Sequence, residues 1–279
     1  MIEKCPICEK NYMLGKTFQF STYAIYTCKS CLTRFAQPFV DNKEVYNNNF
    51  IEMKKSYLDT VAMNKKAYYE LSPYFNVKNK RILDIGCGTG SFLNKIKKHN
   101  EVLGMEVSES YGASLSASGI PHMIGNIEDG LKKIPDDHFN LITLWDVLEH
   151  LDDPHKIIGI VRNKLAASGH MIIWTNNYDD CISSFAEAIY RVSFGKMNTL
   201  LMMSFNRGGG HNYNFVSKSL ENLYCRNNLK IIKSIITDTA SEKLTKSIPF
   251  KAVLELFYCA NKFLGKGKII CHVLKRNQF

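Results

Sequence analysis

The sequence predicts an α/β fold with a mostly parallel sheet, preceded by a small metal-binding module. Residues 80–85 form a short apolar run that leads into a glycine-rich turn and then a helical pattern, which is typical of parallel α/β sheets. Two Cys-x-x-Cys pairs lie within the first 31 residues, a segment too short to build a hydrophobic core of its own. A chain of 279 residues has room for both units.

The composition is that of a globular protein, but the charge is unevenly distributed. The chain is 45% hydrophobic and 22% charged, and its formal net charge is +10. Residues 1–190 contain 21 Lys and Arg against 22 Asp and Glu, whereas residues 191–279 contain 15 against 4. Such a basic region favours an anionic partner, namely nucleic acid, a phosphorylated small molecule or a membrane surface, although it is equally compatible with a solvated surface.

The sequence contains no recognisable targeting segment. The first eight residues include no basic leader followed by an apolar run, and charged residues interrupt the apolar stretches 181–205 and 248–264. We therefore expect no signal peptide, no transmembrane segment and a cytoplasmic location.

The first 45 residues are predicted to form a zinc ribbon. Two Cys-x-x-Cys pairs are separated by nineteen residues, and each pair supplies two thiolates from one tight turn. Strand-like segments at 17–20 and 23–27 are expected to form the hairpin that brings the pairs together. Because four thiolates leave no open coordination position, the expected zinc is structural. The predicted ligands are Cys5, Cys8, Cys28 and Cys31.

One amphipathic helix is predicted between the ribbon and the glycine-rich turn. Apolar residues recur at near-helical spacing from Met53 to Leu71 in a polar background, and Pro73 is expected to end the helix. The residues before it, 35–50, are predicted to be an aromatic, Asn-rich connection.

The glycine-rich turn is a candidate ligand site. Gly86, Gly88 and Gly90 lie between a predicted strand and a predicted helix, where backbone N–H groups at a helix N-terminus can meet a ligand. A Cβ at these positions would block close approach or forbid the required φ. The next predicted strand, 101–105, is followed by Glu106, whose carboxylate can accept both hydroxyls of a ribose.

Together these motifs resemble those of the class I S-adenosylmethionine-dependent methyltransferases. The segment from Asp84 to Gly90, D-I-G-C-G-T-G, is similar to motif I of that family, and Glu106 to its acidic loop. Segments 125–128, 139–154 and 165–175 are similar to its adenine-flanking loop, its motif IV and the strand region after its Pro-Gly-Gly turn. The resemblance covers roughly residues 65–279 and implies a Rossmann-like, mostly parallel sheet with an antiparallel last strand.

The resemblance also implies individual roles for the cofactor-binding residues. Asp84 would order the glycine-rich turn, Glu106 would hold the ribose and Ile127 would pack on the adenine. Asn126 stands where the family usually has an acidic residue, and its side-chain carbonyl is still able to accept a hydrogen bond from the adenine amino group. The full expected set is Asp84, Gly86, Cys87, Gly88, Gly90, Glu106, Val107, Asn126, Ile127 and, at the methionine end, Leu144 and Trp145.

The last third of the chain is expected to select the substrate. Residues 229–236 and 268–274 are predicted strands, which the resemblance places as an antiparallel pair at one edge of the sheet. Between them lies an amphipathic helix at 248–264, whose apolar face is expected to pack on the protein itself rather than on a membrane. The predicted domains are 1–45, the ribbon, and 46–279, the methyltransferase domain, with a substrate lid at about 178–217.

Two histidines are candidates for a general base. The segment around His211 resembles the E-H-x-Y-F-S segment of zinc-ribbon methyltransferases that act on nucleotide-linked sugars; His211 and Tyr213 match, and a glycine replaces the Glu. His150 follows the predicted fourth strand, at the edge where ligands bind. Histidine takes up a proton near neutral pH, as a base for a hydroxyl or amine nucleophile must. The alternatives are a carboxylate, Glu149 or Asp146, or an acceptor that is already ionised.

The predicted function is S-adenosylmethionine-dependent methylation of a small anionic molecule, with O-methylation of a phosphorylated or nucleotide-linked sugar in surface-polysaccharide or related biosynthesis as the leading hypothesis. The first alternative is methylation of ribosomal or transfer RNA, because some RNA methyltransferases carry a zinc module. Against it, the sequence lacks an Asn-Pro-Pro-Tyr-type motif and an RNA platform rich in Arg and aromatic residues. The second alternative is a non-catalytic interaction protein, which the retained cofactor residues disfavour.

Overall fold

A computed structural model of the chain describes residues 4–11, 14–40, 65–239 and 247–277. Within these ranges the chain forms a four-stranded sheet and a seven-stranded sheet with helices around them. The strands are β1 (Leu14–Gln19), β2 (Ala24–Cys28), β3 (Arg34–Gln37), β4 (Arg81–Ile85), β5 (Glu101–Glu106), β6 (His122–Ile124), β7 (Phe139–Trp145), β8 (Leu165–Asn176), β9 (Tyr213–Asn214), β10 (Leu229–Thr237) and β11 (Ile269–Arg276). The α-helices are α1 (Lys65–Phe75), α2 (Ser91–Ile96), α3 (Gly112–Ala117), α4 (Ile127–Lys132), α5 (Pro154–Lys164), α6 (Cys181–Val192), α7 (Thr199–Phe205), α8 (Ser217–Arg226) and α9 (Ile248–Leu264).

The seven-stranded sheet has the strand order β6-β5-β4-β7-β8-β11-β10. Every neighbouring pair is parallel except those made by β11, which runs antiparallel to both β8 and β10. This confirms the predicted Rossmann-like class I methyltransferase sheet. Because β4, β5, β7 and β8 are parallel, their carboxyl ends lie at one edge, where ligands bind in such folds.

The predicted helix between ribbon and glycine-rich turn is described only from residue 65 onward. Helix α1 continues past Pro73 and ends at Phe75. A proline nitrogen cannot donate to the carbonyl of residue 69, and the Ser72 hydroxyl donates to that carbonyl instead, at 3.0 Å. The helix therefore runs two residues beyond the predicted end, while residues 53–64 lie outside the described residues.

The four-stranded sheet of the ribbon includes β9, a strand that comes much later in the sequence. The predicted hairpin is present as β1 and β2, and β3 follows where an irregular connection was expected. Strand β3 pairs with β9, so that Arg34 lies opposite Asn214 and Phe35 opposite Tyr213. This partner is far away in the sequence, and no local pattern predicts it.

The ribbon also shares a hydrophobic core with helices α6 and α7. Phe18 and Ile25 of the ribbon belong to the same buried cluster as Leu201 and Phe205. Arg34 completes the contact, because its guanidinium pairs with Glu187 at 2.8 Å. The lid helices thus pack directly on the ribbon; the predicted domain boundary at residue 45 lies outside the described residues.

Helix α9 shows that one prediction from the sequence is wrong. Its apolar face was expected to pack on the protein, but Leu256 and Phe263 are 71% and 90% exposed, and only Leu254 and Asn261 are buried along the helix. The Asn261 amide anchors α9 by accepting from the Cys181 N–H and donating to Asp238, both at 2.8 Å. A polar anchor therefore orients the helix with its apolar face outward. No helix in the described residues is long and apolar enough to cross a bilayer.

Phe35→Ala is expected to lower the free energy of unfolding by about 3–5 kcal/mol, because the ring is fully buried between Tyr26 and Tyr213. Leu32→Ala is the matched control: Leu32 is 44% exposed in the same ribbon and should cost less than about 0.5 kcal/mol. Urea titrations followed by circular dichroism measure both losses. Equal losses would contradict the packing of β3 against β9.

Candidate active site

The glycine-rich turn connects β4 to α2 and has its three glycines at positive φ. The φ values of Gly86, Gly88 and Gly90 are 70°, 54° and 74°. A Cβ on Gly86 or Gly90 would collide with side chains of neighbouring segments, so packing excludes other residues there. A Cβ on Gly88 would meet nothing closer than Tyr111, at 4.0 Å. The outer side of Gly88 is therefore open and suits the close approach of a nucleoside.

The Glu106 carboxylate is fixed against this turn at the carboxyl end of β5. It accepts hydrogen bonds from the backbone N–H groups of Gly88 and Val107, both at 2.8 Å, and of Ser108 at 3.0 Å. These bonds hold a buried acceptor beside the open face of Gly88, as a ribose site requires. The residues present therefore fit the nucleoside part of S-adenosylmethionine.

The Asp84 carboxyl supports the turn from beneath rather than by direct contact. It accepts the Thr143 hydroxyl at 2.6 Å and so joins β4 to β7, two residues before Gly86. Burial raises the pKa of Asp84 to about 7, while the bond from Thr143 acts in the opposite direction. Within the described residues, Asp84 therefore orders the turn indirectly, by holding β4 against β7.

Asn126 has a different partner from the one the resemblance implied. Its side-chain carbonyl caps helix α4 by accepting from the N–H groups of Glu128 and Asp129, at 2.8 and 3.3 Å. The oxygen expected to accept from the adenine amino group is thus occupied by the cap. Ile127, the first residue of α4, is partly buried beside it.

Three further residues of the expected cofactor set lie in the core. Cys87, Leu144 and Trp145 are at most 9% exposed. Trp145 packs edge-on against Phe92 with the ring centroids 5.4 Å apart, whereas Leu144 belongs to the cluster on the opposite face of the sheet. Their side chains support the candidate site from within the core.

His150 lies in the segment that follows β7. In this segment the side chain of Val147 packs against Gly86 of the glycine-rich turn. The Nδ1 of His150 is 3.1 Å from the Gly210 carbonyl. A carbonyl only accepts, so neutral His150 carries its proton on Nδ1 and its lone pair on Nε2. Burial lowers the pKa of His150 to about 4. The ordinary histidine pKa assumed from the sequence therefore does not hold, and the ring is neutral at neutral pH.

Glu149 places a buried carboxyl next to this ring. Its Oε2 accepts the Thr175 hydroxyl at 2.7 Å, and burial raises the pKa of Glu149 to about 7. One side-chain oxygen or nitrogen from each of Glu149, His150 and His211 lies within 4.8 Å of the others. An ionised Glu149 is therefore close enough to stabilise an imidazolium cation.

His211 has both ring nitrogens next to asparagine side chains. Its Nδ1 and Nε2 lie 3.0 Å from the amides of Asn176 and Asn206. The Asn176 carbonyl accepts the Phe215 N–H at 3.2 Å, so its NH₂ group faces His211 and Nδ1 accepts. The amide nitrogen of Asn206 faces Nε2 in the same way. Burial, with smaller effects of His150 and a nearby lysine, lowers the pKa of His211 well below its ordinary value.

The segment that carries His211 is joined to both the ribbon and the segment of Glu149 and His150. The Asn212 N–H donates to the Glu149 carbonyl at 2.9 Å. From the ribbon side, the Ala36 N–H donates to the Asn212 carbonyl at 2.9 Å and the Val40 N–H to its side-chain oxygen at 2.8 Å. The ribbon therefore borders the candidate active site.

The four ribbon cysteines fit a tetrahedral metal. The Sγ atoms of Cys5 and Cys31 are 3.7 Å apart, those of Cys8 and Cys28 are 3.6 Å apart, and all four lie within 4.8 Å of one another. Zinc–sulfur bonds of about 2.3 Å give a tetrahedron with edges of about 3.8 Å, whereas a disulfide bond measures about 2.05 Å. The spacing therefore matches ligands around a zinc ion.

Sequence analysis missed the asparagines around His211. Thr175 and Asn176 are polar residues at the end of the apolar strand β8, a pattern that marks the ligand edge of a parallel sheet. Asn206 carries no such pattern. It ends α7 in the left-handed conformation, and only the folded lid brings it to His211.

Comparisons with known proteins identify the family of this chain. The family described as a methyltransferase domain matches residues 57–234. The ubiquinone biosynthesis O-methyltransferase of Glaesserella parasuis is 29% identical over 193 residues, which are 62% of this chain and 77% of that protein. The protein of the same name from Coxiella burnetii is 29% identical over 108 residues, 36% of this chain and 45% of its own length.

Solved structures share the fold at low sequence identity. A S-adenosylmethionine-dependent methyltransferase from Archaeoglobus fulgidus superposes with a TM-score of 0.59 at 18% identity, covering 82% of this chain and 100% of that chain. Phosphoethanolamine N-methyltransferase 2 of Haemonchus contortus, in complex with S-adenosyl-L-methionine, gives 0.57 at 10% identity over 88% and 62%. The family match extends over more than half of the chain, and the chain therefore belongs to the methyltransferase-domain family and is an S-adenosylmethionine-dependent methyltransferase of class I fold.

Proposed function

We propose that this methyltransferase methylates a hydroxyl group of a small acceptor and that His150 is its general base. The carrying observation is the cluster of Glu149, His150 and His211, in which one side-chain oxygen or nitrogen from each lies within 4.8 Å of the others, with His150 Nδ1 facing the Gly210 carbonyl at 3.1 Å. The names of the Glaesserella and Coxiella relatives, which are O-methyltransferases, support a hydroxyl acceptor.

The chain's own residues supply binding and proton transfer. When bound, S-adenosylmethionine supplies an electrophilic methyl group on a sulfonium. The turn N–H groups and Glu106 would hold its nucleoside part. His150 Nε2 takes the proton that the acceptor hydroxyl loses as its oxygen is methylated, and ionised Glu149 stabilises the resulting imidazolium.

His211 has a positioning role in this proposal, although the sequence favoured it over His150 as the base. Its Nδ1 accepts from Asn176, and its Nε2 lies 3.0 Å from the amide nitrogen of Asn206. Its ring centroid lies 4.8 Å from that of His150 at an interplanar angle of 89°. His211 thus fixes the orientation of the His150 ring.

We further propose that the acceptor carries a negative charge. The Lys268 carbonyl accepts the N–H of Asn177 at 2.7 Å, next to the Asn176 that contacts His211, and the charge of Lys268 adds to the lowering of the pKa of His211. The net charge of residues 191–279 also favours an anionic molecule. A phosphorylated or nucleotide-linked sugar belongs to this class of acceptors.

We also propose that the ribbon binds one structural zinc ion through Cys5, Cys8, Cys28 and Cys31. The sulfur spacing supports this, and β3 continues from the second cysteine pair into the pairing with β9. The metal would thereby stabilise the segment that carries His211.

Glu106→Ala is expected to weaken S-adenosylmethionine binding by about 1–3 kcal/mol, or about 5- to 150-fold in Kd, because the ribose loses a charged acceptor. Glu101→Ala, at the exposed start of the same strand, should leave Kd unchanged. Isothermal titration calorimetry measures both. Identical affinities for wild type and Glu106→Ala would refute the ribose site at the end of β5.

His150→Ala is expected to lower kcat by about 10²–10⁴ with the Kd of S-adenosylmethionine unchanged, because the proton acceptor is lost. His211→Gln should cost less, since an amide can still contact Asn176 and Asn206. His99→Ala, at an exposed site, is the control. A larger loss at His211 than at His150 would reverse the two roles.

The pH profile provides a second test of the pair. The Glu149 carboxylate forms as the pH rises through about 7, so kcat should rise between about pH 6 and pH 8. His150, with a pKa of about 4, stays neutral over this range and adds no inflection. Glu149→Gln should lower kcat and flatten the profile. An inflection that persists in this variant would belong to another group.

The protein is expected to contain one zinc ion per chain, measured by elemental analysis, and Cys28→Ser should lose it. Because β3 pairs with β9, amide exchange in residues 212–215 should become faster in this variant while β4 and β5 keep their protection. Cys225→Ser, at an exposed cysteine outside the ribbon, is the control. Wild-type protein without zinc and with four freely titratable thiols would rule out the metal site.

A further inference from the structure

The helices of the lid and α9 expose large apolar side chains to solvent. Phe194, in the loop between α6 and α7, is 93% exposed, and Phe263 at the end of α9 is 90% exposed. Soluble monomers rarely expose large apolar patches, and such patches mark interaction sites. The exposed apolar side chains of this region are Phe185, Val192, Phe194, Met197, Met202, Met203, Ile248, Phe250, Val253, Leu256, Phe263 and Leu264.

Two contacts establish how these side chains are arranged. The Cys181 N–H at the start of α6 donates to Asn261 near the end of α9 at 2.8 Å. One turn later in α6 and one turn earlier in α9, the rings of Phe185 and Phe257 lie 5.4 Å apart. Helices α6 and α9 are therefore antiparallel neighbours, and the end of α6 lies toward the start of α9.

This arrangement gathers protruding side chains at one end of the helix pair. Val192, the last residue of α6, is 81% exposed, and Phe194 just after it is 93% exposed. Ile248, the first residue of α9, is 82% exposed. We call this end the apolar tip, and it comprises Val192, Phe194, Met197, Ile248 and Phe250. Side chains that protrude to this extent suit insertion into a soft apolar phase.

The charges around these helices select the partner. Two acidic residues lie on these helices: Glu187, which pairs with Arg34 of the ribbon at 2.8 Å, and the exposed Glu255 on α9. Beside them, Asp179 pairs with Lys266 at 2.6 Å. Basic residues still outnumber acidic ones on and beside the helices, so a second copy docked on this face would bring like charges together. An anionic surface is complementary to it. The basic residues on or beside these helices are Arg191, Lys196, Lys251, Lys262, Lys266 and Lys268.

We propose that α6, α7 and α9 form a peripheral binding surface for an anionic lipid bilayer. The apolar tip and the exposed apolar side chains along α9, as far as Phe263, enter the interfacial layer, and the surrounding basic side chains contact acidic headgroups. No helix crosses the bilayer in this arrangement. The inference is independent of the proposed acceptor and of the assignment of His150.

Sedimentation of the full-length chain with vesicles tests this inference. We expect binding to vesicles of phosphatidylcholine with one quarter phosphatidylglycerol, weak binding to phosphatidylcholine alone, and release of the protein in 0.5 M salt, because the charge attraction is then screened. Phe194→Ser and Phe263→Ser should each reduce the partition coefficient about tenfold. Tyr69→Ser is the matched control, since Tyr69 is 75% exposed on α1, outside this surface.

Lys196→Glu with Lys262→Glu should also weaken binding to anionic vesicles by about tenfold or more, since two attractive charges become repulsive. An unchanged Kd for S-adenosylmethionine shows that each variant is folded. The proposal is overturned if the wild type does not bind anionic vesicles or if the Phe194 and Phe263 variants bind like the wild type. Light scattering that shows a dimer which Phe194→Ser dissociates would assign the surface to self-association and overturn the proposal as well.

Discussion

The candidate active site depends on the hydrogen bonds of one buried residue, Asn212. Its N–H donates to the Glu149 carbonyl, and its two oxygens accept from Ala36 and Val40 of the ribbon chain. A buried polar group left without a partner costs about 1–3 kcal/mol, so these three bonds hold three distant segments in one register. The ribbon, the segment after β7 and the end of the lid are therefore positioned together, and ribbon geometry is transmitted to the catalytic edge.

The parts of the structure that sequence analysis predicted depend on local patterns. The turn after β4 and the acidic residue at the end of β5 follow from apolar runs and glycine positions, whereas the antiparallel pairing at the sheet edge was implied by the family resemblance. The pairing of β3 with β9 joins residues that are far apart in the sequence. Because β9 has only two residues, it is too short to show a strand pattern that would predict this pairing. The outward face of α9 was also missed, because hydrophobic periodicity identifies a face but not what covers it.

The catalytic assignment shows where residue type and position are insufficient. His150 and His211 both lie at the ligand edge, and the sequence favoured His211 as the base because of its resemblance to the E-H-x-Y-F-S segment. The proposed exchange of roles rests on the fold: the Gly210 carbonyl faces Nδ1 of His150, whereas asparagine amide nitrogens lie 3.0 Å from both ring nitrogens of His211. These asparagines reach His211 from the end of β8 and the end of α7, so the distinction exists only in the folded lid.

The lid also explains why an exposed apolar surface and a buried proton-transfer site occur in the same part of the molecule. Helix α7 begins just after the apolar tip and ends at Asn206, whose amide contacts His211. A helix of seven residues spans about 10 Å, so one short element separates the proposed membrane surface from Asn206. His211 in turn lies with its ring centroid 4.8 Å from that of His150. A contact of the apolar tip with a bilayer would therefore act on the same helix that positions the two histidines, whatever the acceptor is.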